Sequence, residues 1–419
     1  MIRPDATLTR RHLLQTLAMG FAPLAVVTRI PAAAPTPNAS IGPLNSAVLP
    51  KGIRSRFVEG VNGLRMHMLE AGFEAPGRPA LLLIHGFPEL AYSWRNIMVP
   101  LATAGYHVFA PDVRGYGRTT PSPVGYDDDL RPFGTANKLK DMLALVAAMG
   151  HRTVAAVIGH DQGSPLAGWC ACAHPDVFPA VALMSAPFSG TPAPASSPAK
   201  GPHPAASGPD TIYDDLGRLS PPRKHYQRYY QTREANENMW HAPQGLHAFL
   251  RAYYHMKSAD WPQNDPHPLV ARTPDEWAKL PRYYVMDRDK GMAEQVAAEM
   301  PSPAAIAANR WLPDADLRVY AEEYGRTGFQ GGLNGYRRGP VDRELDAFAG
   351  RKIEVPATFL GGAKDWGIYQ SPGALERLEQ QGATKYLGTH LIADAGHWVQ
   401  QEQPAQVSRL LLDFLKRAA

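Results

Sequence analysis

Short apolar runs that stop at glycine turns recur along the chain and predict its architecture. "PALLLIHGF" (residues 79–87) is a continuous run of the kind buried on both faces of a parallel sheet. "HVFAPDVRGYG" and "TVAAVIGHDQGS" repeat the design. Between the runs lie helical stretches, such as Asn137 to Met149 with apolar Leu139, Met142, Leu143, Val146 and Met149. Upstream, "SRFVEGVNGLRMHMLEAG" alternates and predicts a hairpin of two strands turning at Asn62-Gly63. Sheet patterning resumes with "IEVPATFLGG" and "THLIADAGH", ahead of an amphipathic C-terminal helix, "PAQVSRLLLDFLKR". Strands alternating with helices imply an α/β fold with a mostly parallel, doubly wound sheet.

After "AVALMSAPF" the pattern changes. Residues 189–210 are rich in Pro, Ala, Ser and Gly and predict a loop. The stretch that follows, to about Tyr336, carries Tyr, Trp and charged residues at helical spacing, as in "RYYQTREANENMW" and "LRVYAEEYGRTG". The expected organisation is a core over 50–188 and 345–419, with an inserted helical cap over 189–344 that includes the Pro/Ala-rich loop. At the N-terminus, Arg10 and Arg11 precede a weakly apolar stretch broken by Gly20 and Pro23, too short for a stable membrane span. With the Pro/Ala-rich linker after it, residues 1–40 read as a twin-arginine export signal and linker, which predicts a periplasmic or exported protein.

Composition narrows the function classes. A chain of 419 residues with 44% hydrophobic content can bury a large core, and a formal net charge of +4 with no basic stripe gives no expectation of nucleic-acid binding. The two cysteines, Cys170 and Cys172, point in different directions on a helix, so neither a disulfide nor a metal pair is expected. No phosphate-cradling loop, metal cluster or nicotinamide fingerprint stands out, and no cofactor or metal is inferred.

In open parallel sheets the reactive site lies at the carboxyl ends of strands. Four candidates fall there: His85 with Gly86 and Phe87, Asp161, Asp365 and His397. Nucleophile, acid and histidine in that chain order match the α/β-hydrolase fold, whose nucleophile sits on a tight elbow with small neighbours, here Gly159 and Gly163. Asp161 could alternatively cap the helix that follows, and Asp394 rivals Asp365 as the partner of the imidazole.

"HGFPE" (residues 85–89), "DVRGYG" (112–117), "GHDQGS" (159–164), "GFQGGLNGYR" (328–337), "AKD" (363–365) and "AGHW" (395–398) together resemble the soluble epoxide hydrolases, over the chain from about residue 53 onward. The resemblance implies that Asp161 is alkylated by an epoxide and that His397, oriented by Asp365, activates water to hydrolyse the ester. It assigns the oxyanion hole to the backbone N–H groups of Phe87 and Gln162. It also places two tyrosines over the epoxide oxygen, Tyr336 in "LNGYR" and Tyr226 in "HYQRYYQ", with Tyr229 or Tyr230 as alternatives to the latter. His85, Pro88, Gly335 and Trp398 are expected around the substrate, and the partners are an epoxide and water.

The sequence departs from the family pattern at two positions. Gln162 follows the nucleophile and Gly335 precedes the second tyrosine, where the family commonly has tryptophan. Losing two aromatic walls predicts a roomier, more polar pocket and a bulky or oxygenated substrate. The Gln162 substitution also weighs against a haloalkane dehalogenase, which needs N–H donors for halide. "DQGSPLAG" lacks the arginines a haloacid dehalogenase would use on a carboxylate. A non-catalytic ligand-binding homologue and an ester or lactone hydrolase complete the alternatives.

Overall fold

The computed structural model describes residues 41–120, 122–192, 211–337 and 339–419. The paired arginines, the N-terminal linker and residues 193–210 of the Pro/Ala-rich loop lie outside the described residues. Strands β1 (Ile53–Val61) and β2 (Leu64–Ala71) form the expected hairpin, with Asn62 and Gly63 both at positive φ in its two-residue turn. Then come β3 (Ala80–Ile84), β4 (His107–Pro111), β5 (Ala156–His160) and β6 (Val181–Met184). A helical segment follows, carrying its own short antiparallel pair, β7 (Arg223–His225) and β8 (Val285–Asp287), before β9 (Ile353–Gly362) and β10 (Ala383–Ile392).

The main sheet has eight strands in the order β1-β2-β4-β3-β5-β6-β9-β10. It is antiparallel as far as the β2–β4 pair and parallel thereafter. Every residue of β3 and of β5 is buried, so helices must cover both faces at the centre, which explains the unbroken apolar runs. The chain leaves β3 for β4 on one side and returns to β5 on the other. That reversal opens a crevice at the carboxyl ends of β3 and β5.

The helices differ from the sequence pattern in detail. Helical spacing runs through residues 228–240, and the structure forms two helices there, Tyr226–Tyr229 and Glu234–Trp240. Thr232 accounts for the break: its hydroxyl donates to the Tyr229 carbonyl at 2.7 Å, capping the first helix. The helix expected from Asn137 begins at Thr135, whose N–H donates to Asp342 Oδ1 at 2.6 Å. Both cysteines are buried and unbridged. Among the described residues, no helix is long and apolar enough to cross a membrane.

Candidate active site

Asp161 stands at the turn between β5 and the helix Gly163–Ala173, with φ of 50°. Aspartate tolerates this left-handed conformation better than most residues. The turn is tight enough that a Cβ on Gly159 would collide with the Gly163 carbonyl, and one on Gly163 with the Ile84 carbonyl. Only glycine serves at either place. The carboxylate does not cap its own helix: Oδ1 accepts the Phe87 N–H at 2.9 Å, and Oδ2 lies 3.3 Å from His397 Nε2. The capping alternative for Asp161 is therefore set aside.

His397 follows β10, and its Nδ1 lies 3.1 Å from Asp365 Oδ1. Asp365 follows β9 and also accepts the Gly367 N–H at 2.7 Å. Asp394, the rival, is exposed and makes no such contact among the described residues; its carbonyl accepts from Gln403 Nε2 at 3.1 Å. A third group joins the pair. The Ser185 hydroxyl donates to Asp365 Oδ2 and lies 2.8 Å from His397 Nδ1. His397 Nδ1–H is thus shared between a carboxylate and a hydroxyl, leaving Nε2 aimed at Asp161 without a hydrogen bond of its own among the described residues.

Electrostatics keeps both acids ionised. Burial pushes the Asp161 carboxyl up, but the His397 imidazole, Lys257 and His160 outweigh it and hold it well below the usual carboxylate range. Burial likewise raises Asp365, and His397, Ser185 and the Gly367 N–H more than reverse that.

Two further histidines brace the loops. His85 Nε2 accepts the Val113 N–H at 3.0 Å while Nδ1 donates to the Gly86 carbonyl at 2.9 Å, which defines a neutral ring. Burial lowers its pKa in the same sense. His160 instead donates from both nitrogens, to Glu89 Oε2 and to the His397 carbonyl, each at 2.6 Å. Burial disfavours its charge, but Glu89 overcomes this and raises the His160 pKa. Glu89 also accepts the Gly86 N–H at 3.2 Å, so one buried ion pair ties the "HGFPE" loop, through His160, to the loop of His397. Glu402 clamps that loop from behind, accepting the N–H groups of Gly396 and Trp398 and, from the helical segment, that of Ala259.

Asp161 opens into a cavity of about 340 Å³ lined also by His85, Gln162, Tyr226, Gly335 and Tyr336. The two tyrosine rings are 6.0 Å apart. Tyr226 donates to Gln370 Oε1 at 3.0 Å, whereas Tyr230 donates to Tyr253 and Tyr229 faces Lys224, both away from the cavity. The register ambiguity resolves to Tyr226. Burial, reinforced by the Asp161 charge, raises the Tyr226 phenol well above its ordinary value; burial, with Tyr226 and Asp161 adding to it, does the same for Tyr336, so both remain O–H donors.

A family model described as the alpha/beta hydrolase fold matches residues 79–404. Epoxide hydrolase B of Mycobacterium tuberculosis is 31% identical over 356 residues, covering 84% of this chain and 96% of that protein. The chain belongs to the epoxide hydrolases of the α/β-hydrolase fold. Epoxide hydrolase 2 of Siraitia grosvenorii is 30% identical, with coverage of 85% and 96%. The solved epoxide hydrolase from an endophytic Streptomyces superposes with a TM-score of 0.67 at 32% identity, covering 88% of this chain and 96% of the other.

Two residues expected at the epoxide hydrolase pocket stand elsewhere. Trp398 is fully buried, stacks on Tyr254 at 4.2 Å and donates its indole N–H to the Tyr254 carbonyl. Pro88 is turned the same way, its carbonyl accepting the Tyr254 hydroxyl at 2.8 Å. Both anchor loops to the helical segment and do not line the cavity. Ser185, Gln370 and Glu402, which lie outside the motifs, complete the surroundings together with Glu89, the last residue of "HGFPE", and Lys138, which lines the cavity.

Proposed function

We propose that this protein hydrolyses an epoxide to a vicinal diol through an ester on Asp161. The observation that carries the reading is the division of labour within one carboxylate. Oδ1 already occupies the Phe87 N–H, while Oδ2, beneath His397, faces the cavity shared with two phenols. Oδ2 attacks a ring carbon, the carbon–oxygen bond breaks, and the leaving oxygen takes hydrogen bonds and a proton from the tyrosines. Serine would be the wrong nucleophile here, because the carbon attacked is saturated and the enzyme itself must supply the carbonyl for hydrolysis. Water then gives a proton to His397 Nε2 and adds to the Asp161 carbonyl carbon. Negative charge gathers on Oδ1, where the N–H groups of Phe87 and Gln162 receive it. Collapse breaks the bond between the carbonyl carbon and the substrate oxygen, which takes the proton left on the water-derived hydroxyl; the diol departs, Asp161 is again a carboxylate, and the proton on His397 returns to the tyrosine. In this reading the helical segment between β6 and β9 acts as a cap, supplying the phenols and closing over Asp161.

The test is diol and halide release from a panel of small, aryl and bulky epoxides beside matched haloalkanes. Diol supports the proposal; halide release alone would replace it with a dehalogenase.

Each tyrosine should be separately measurable. A hydrogen bond to a developing alkoxide contributes about 1.5–3 kcal/mol, so Tyr226→Phe and Tyr336→Phe are each expected to lower the alkylation rate by about 10- to 100-fold. The double variant should fall further than either. Pre-steady-state rates within about twofold of the parent for both single variants would remove the phenols from the mechanism.

We also propose export by the twin-arginine route, on the sequence of residues 1–40 alone. Arg10→Lys with Arg11→Lys should retain the protein in the cytoplasmic fraction of an expressing bacterium. Unchanged periplasmic recovery would reject it.

A further inference from the structure

Ser185 is held in the backbone more exactingly than a packing serine requires. It follows β6 directly, is fully buried and has φ of 68°. The Ala186 N–H donates back across it to the Met184 carbonyl at 2.8 Å, which closes a three-residue turn of the rare, strained kind. Glycine would enter that conformation at no steric cost. What glycine lacks is the hydroxyl. The turn is also bonded to its neighbours on both sides. The Met184 carbonyl accepts the Asp161 N–H at 3.1 Å, and the Ser185 N–H donates at 2.9 Å to the Leu360 carbonyl of β9, the strand that leads to Asp365. The Ser185 hydroxyl donates to Asp365 Oδ2, and no other group among the described residues donates to that oxygen. Its lone pairs face His397 Nδ1 at 2.8 Å, nearer than Asp365 Oδ1 at 3.1 Å. From this turn it is Ala186, and not Ser185, that lines the cavity. Any part Ser185 takes in catalysis therefore passes through the histidine and its acid.

We infer that Ser185 is a positioning residue for ester hydrolysis: it locks the Asp365 carboxylate against His397, so that the imidazole keeps its proton on Nδ1 and presents Nε2 to water. The inference rests on the epoxide hydrolase reading and adds a residue to its second step. During ring opening the negative charge passes from Asp161 to the epoxide oxygen and the protons come from the tyrosines, so His397 does not change charge. When water attacks, His397 becomes imidazolium, and its Nδ1–H then has both a carboxylate and a hydroxyl to meet it. One hydroxyl serves both neighbours, since its proton goes to Asp365 and its lone pairs stay free for the Nδ1–H. Without it, one oxygen of a buried carboxylate would have no donor, and Asp365 would lose a contact that sets its rotation.

The experiment compares Ser185→Gly and Ser185→Ala with the parent enzyme on styrene oxide and trans-stilbene oxide. Rapid mixing resolves alkylation from ester hydrolysis, and intact mass spectrometry counts the adduct. Both variants should hydrolyse the ester about 10-fold or more slowly than the parent, the scale of a hydrogen bond to a charged group, and alkylate within about twofold of it, so that adduct accumulates. Glycine relieves the turn and alanine leaves it strained, so a loss shared by the two belongs to the hydroxyl and not to the backbone. NMR with isotope-labelled histidine reads the contact without turnover: the His397 Nδ1–H signal, identified by its loss in His397→Gln, should shift in both variants. Ester hydrolysis within about twofold of the parent, or an equal slowing of both steps, would overturn the positioning role and leave the epoxide reading intact. No diol from the parent on any epoxide of the panel, with the Nδ1–H signal shifted in the variants, would uphold the hold on His397 and overturn the epoxide reading.

Discussion

Asp161→Ala is expected to fold and to make no diol, with kcat/KM lower by at least about 10⁴-fold, the scale seen when a covalent nucleophile is removed. No neighbour can substitute. His397 Nε2 faces Asp161 and, in the proposed mechanism, is the base of the second step, and Asp365 is buried behind it with Ser185 and Gly367 on its oxygens. The phenols alone can polarise an epoxide but cannot attack carbon. The structural losses are small beside the catalytic one. Alanine at the left-handed elbow costs about 1 kcal/mol or slightly more, and the Phe87 N–H loses its acceptor. Removing a buried carboxylate offsets part of this, so a domain with ordinary stability should stay folded. Circular dichroism melting together with diol assay makes the check. A folded variant within about 10-fold of the parent would mean that the reaction does not pass through Asp161.

The triad was legible because each member sits where a local pattern ends. Asp161 and Asp365 each follow an apolar run that stops at small residues, and strands buried on both faces leave little choice about where such runs end; His397 follows the partly exposed edge strand β10 and is marked by the "AGH" turn instead. Ser185 follows β6 by the same rule. A lone serine in "MSAPF" has no motif around it, so the sequence does not mark it, although its hydroxyl touches both Asp365 and His397. The tyrosines show a different limit. Tyr226 and Tyr229 are the ends of one short helix and Tyr230 is its C-cap; all three are buried, and nothing in their spacing separates the cavity-facing phenol from its neighbours. Only packing against Gln370 and Tyr253 does so.

The misplaced residues have a physical cause as well. "AGHW" reads as one unit, yet His397 and Trp398 are consecutive and their side chains diverge, one towards Asp161 and the other into the stack with Tyr254. Adjacency to a catalytic residue therefore does not put a side chain in the pocket. Lys138 illustrates the converse. It belongs to a helix whose start is fixed by Asp342, 207 residues away in sequence, so which of its faces meets the site is a tertiary fact. The departures from the family at Gln162 and Gly335 are plain in the sequence, but that Lys138 lines the same cavity is not.

His397→Gln should separate the two chemical steps. Alkylation needs Asp161 and the tyrosines, whereas hydrolysis of the ester needs a base for water, and glutamine cannot act as one at neutral pH. Its amide nitrogen can still donate towards Asp365 and Ser185, so the buried carboxylate keeps a partner and the loop held by Glu402 and Lys257 keeps its anchors. Alanine would strand Asp365 and confuse catalysis with stability. The expected result is one fast equivalent of epoxide consumed, followed by turnover slowed by about 10³-fold, within the range for losing a general base. Intact mass spectrometry should then show the protein heavier by one substrate, with the added mass on the peptide that contains Asp161. The tag should also be absent from the double variant with Asp161→Ala. Slow turnover without any accumulated adduct would place His397 in ring opening instead, and its assignment as the base for ester hydrolysis would fall.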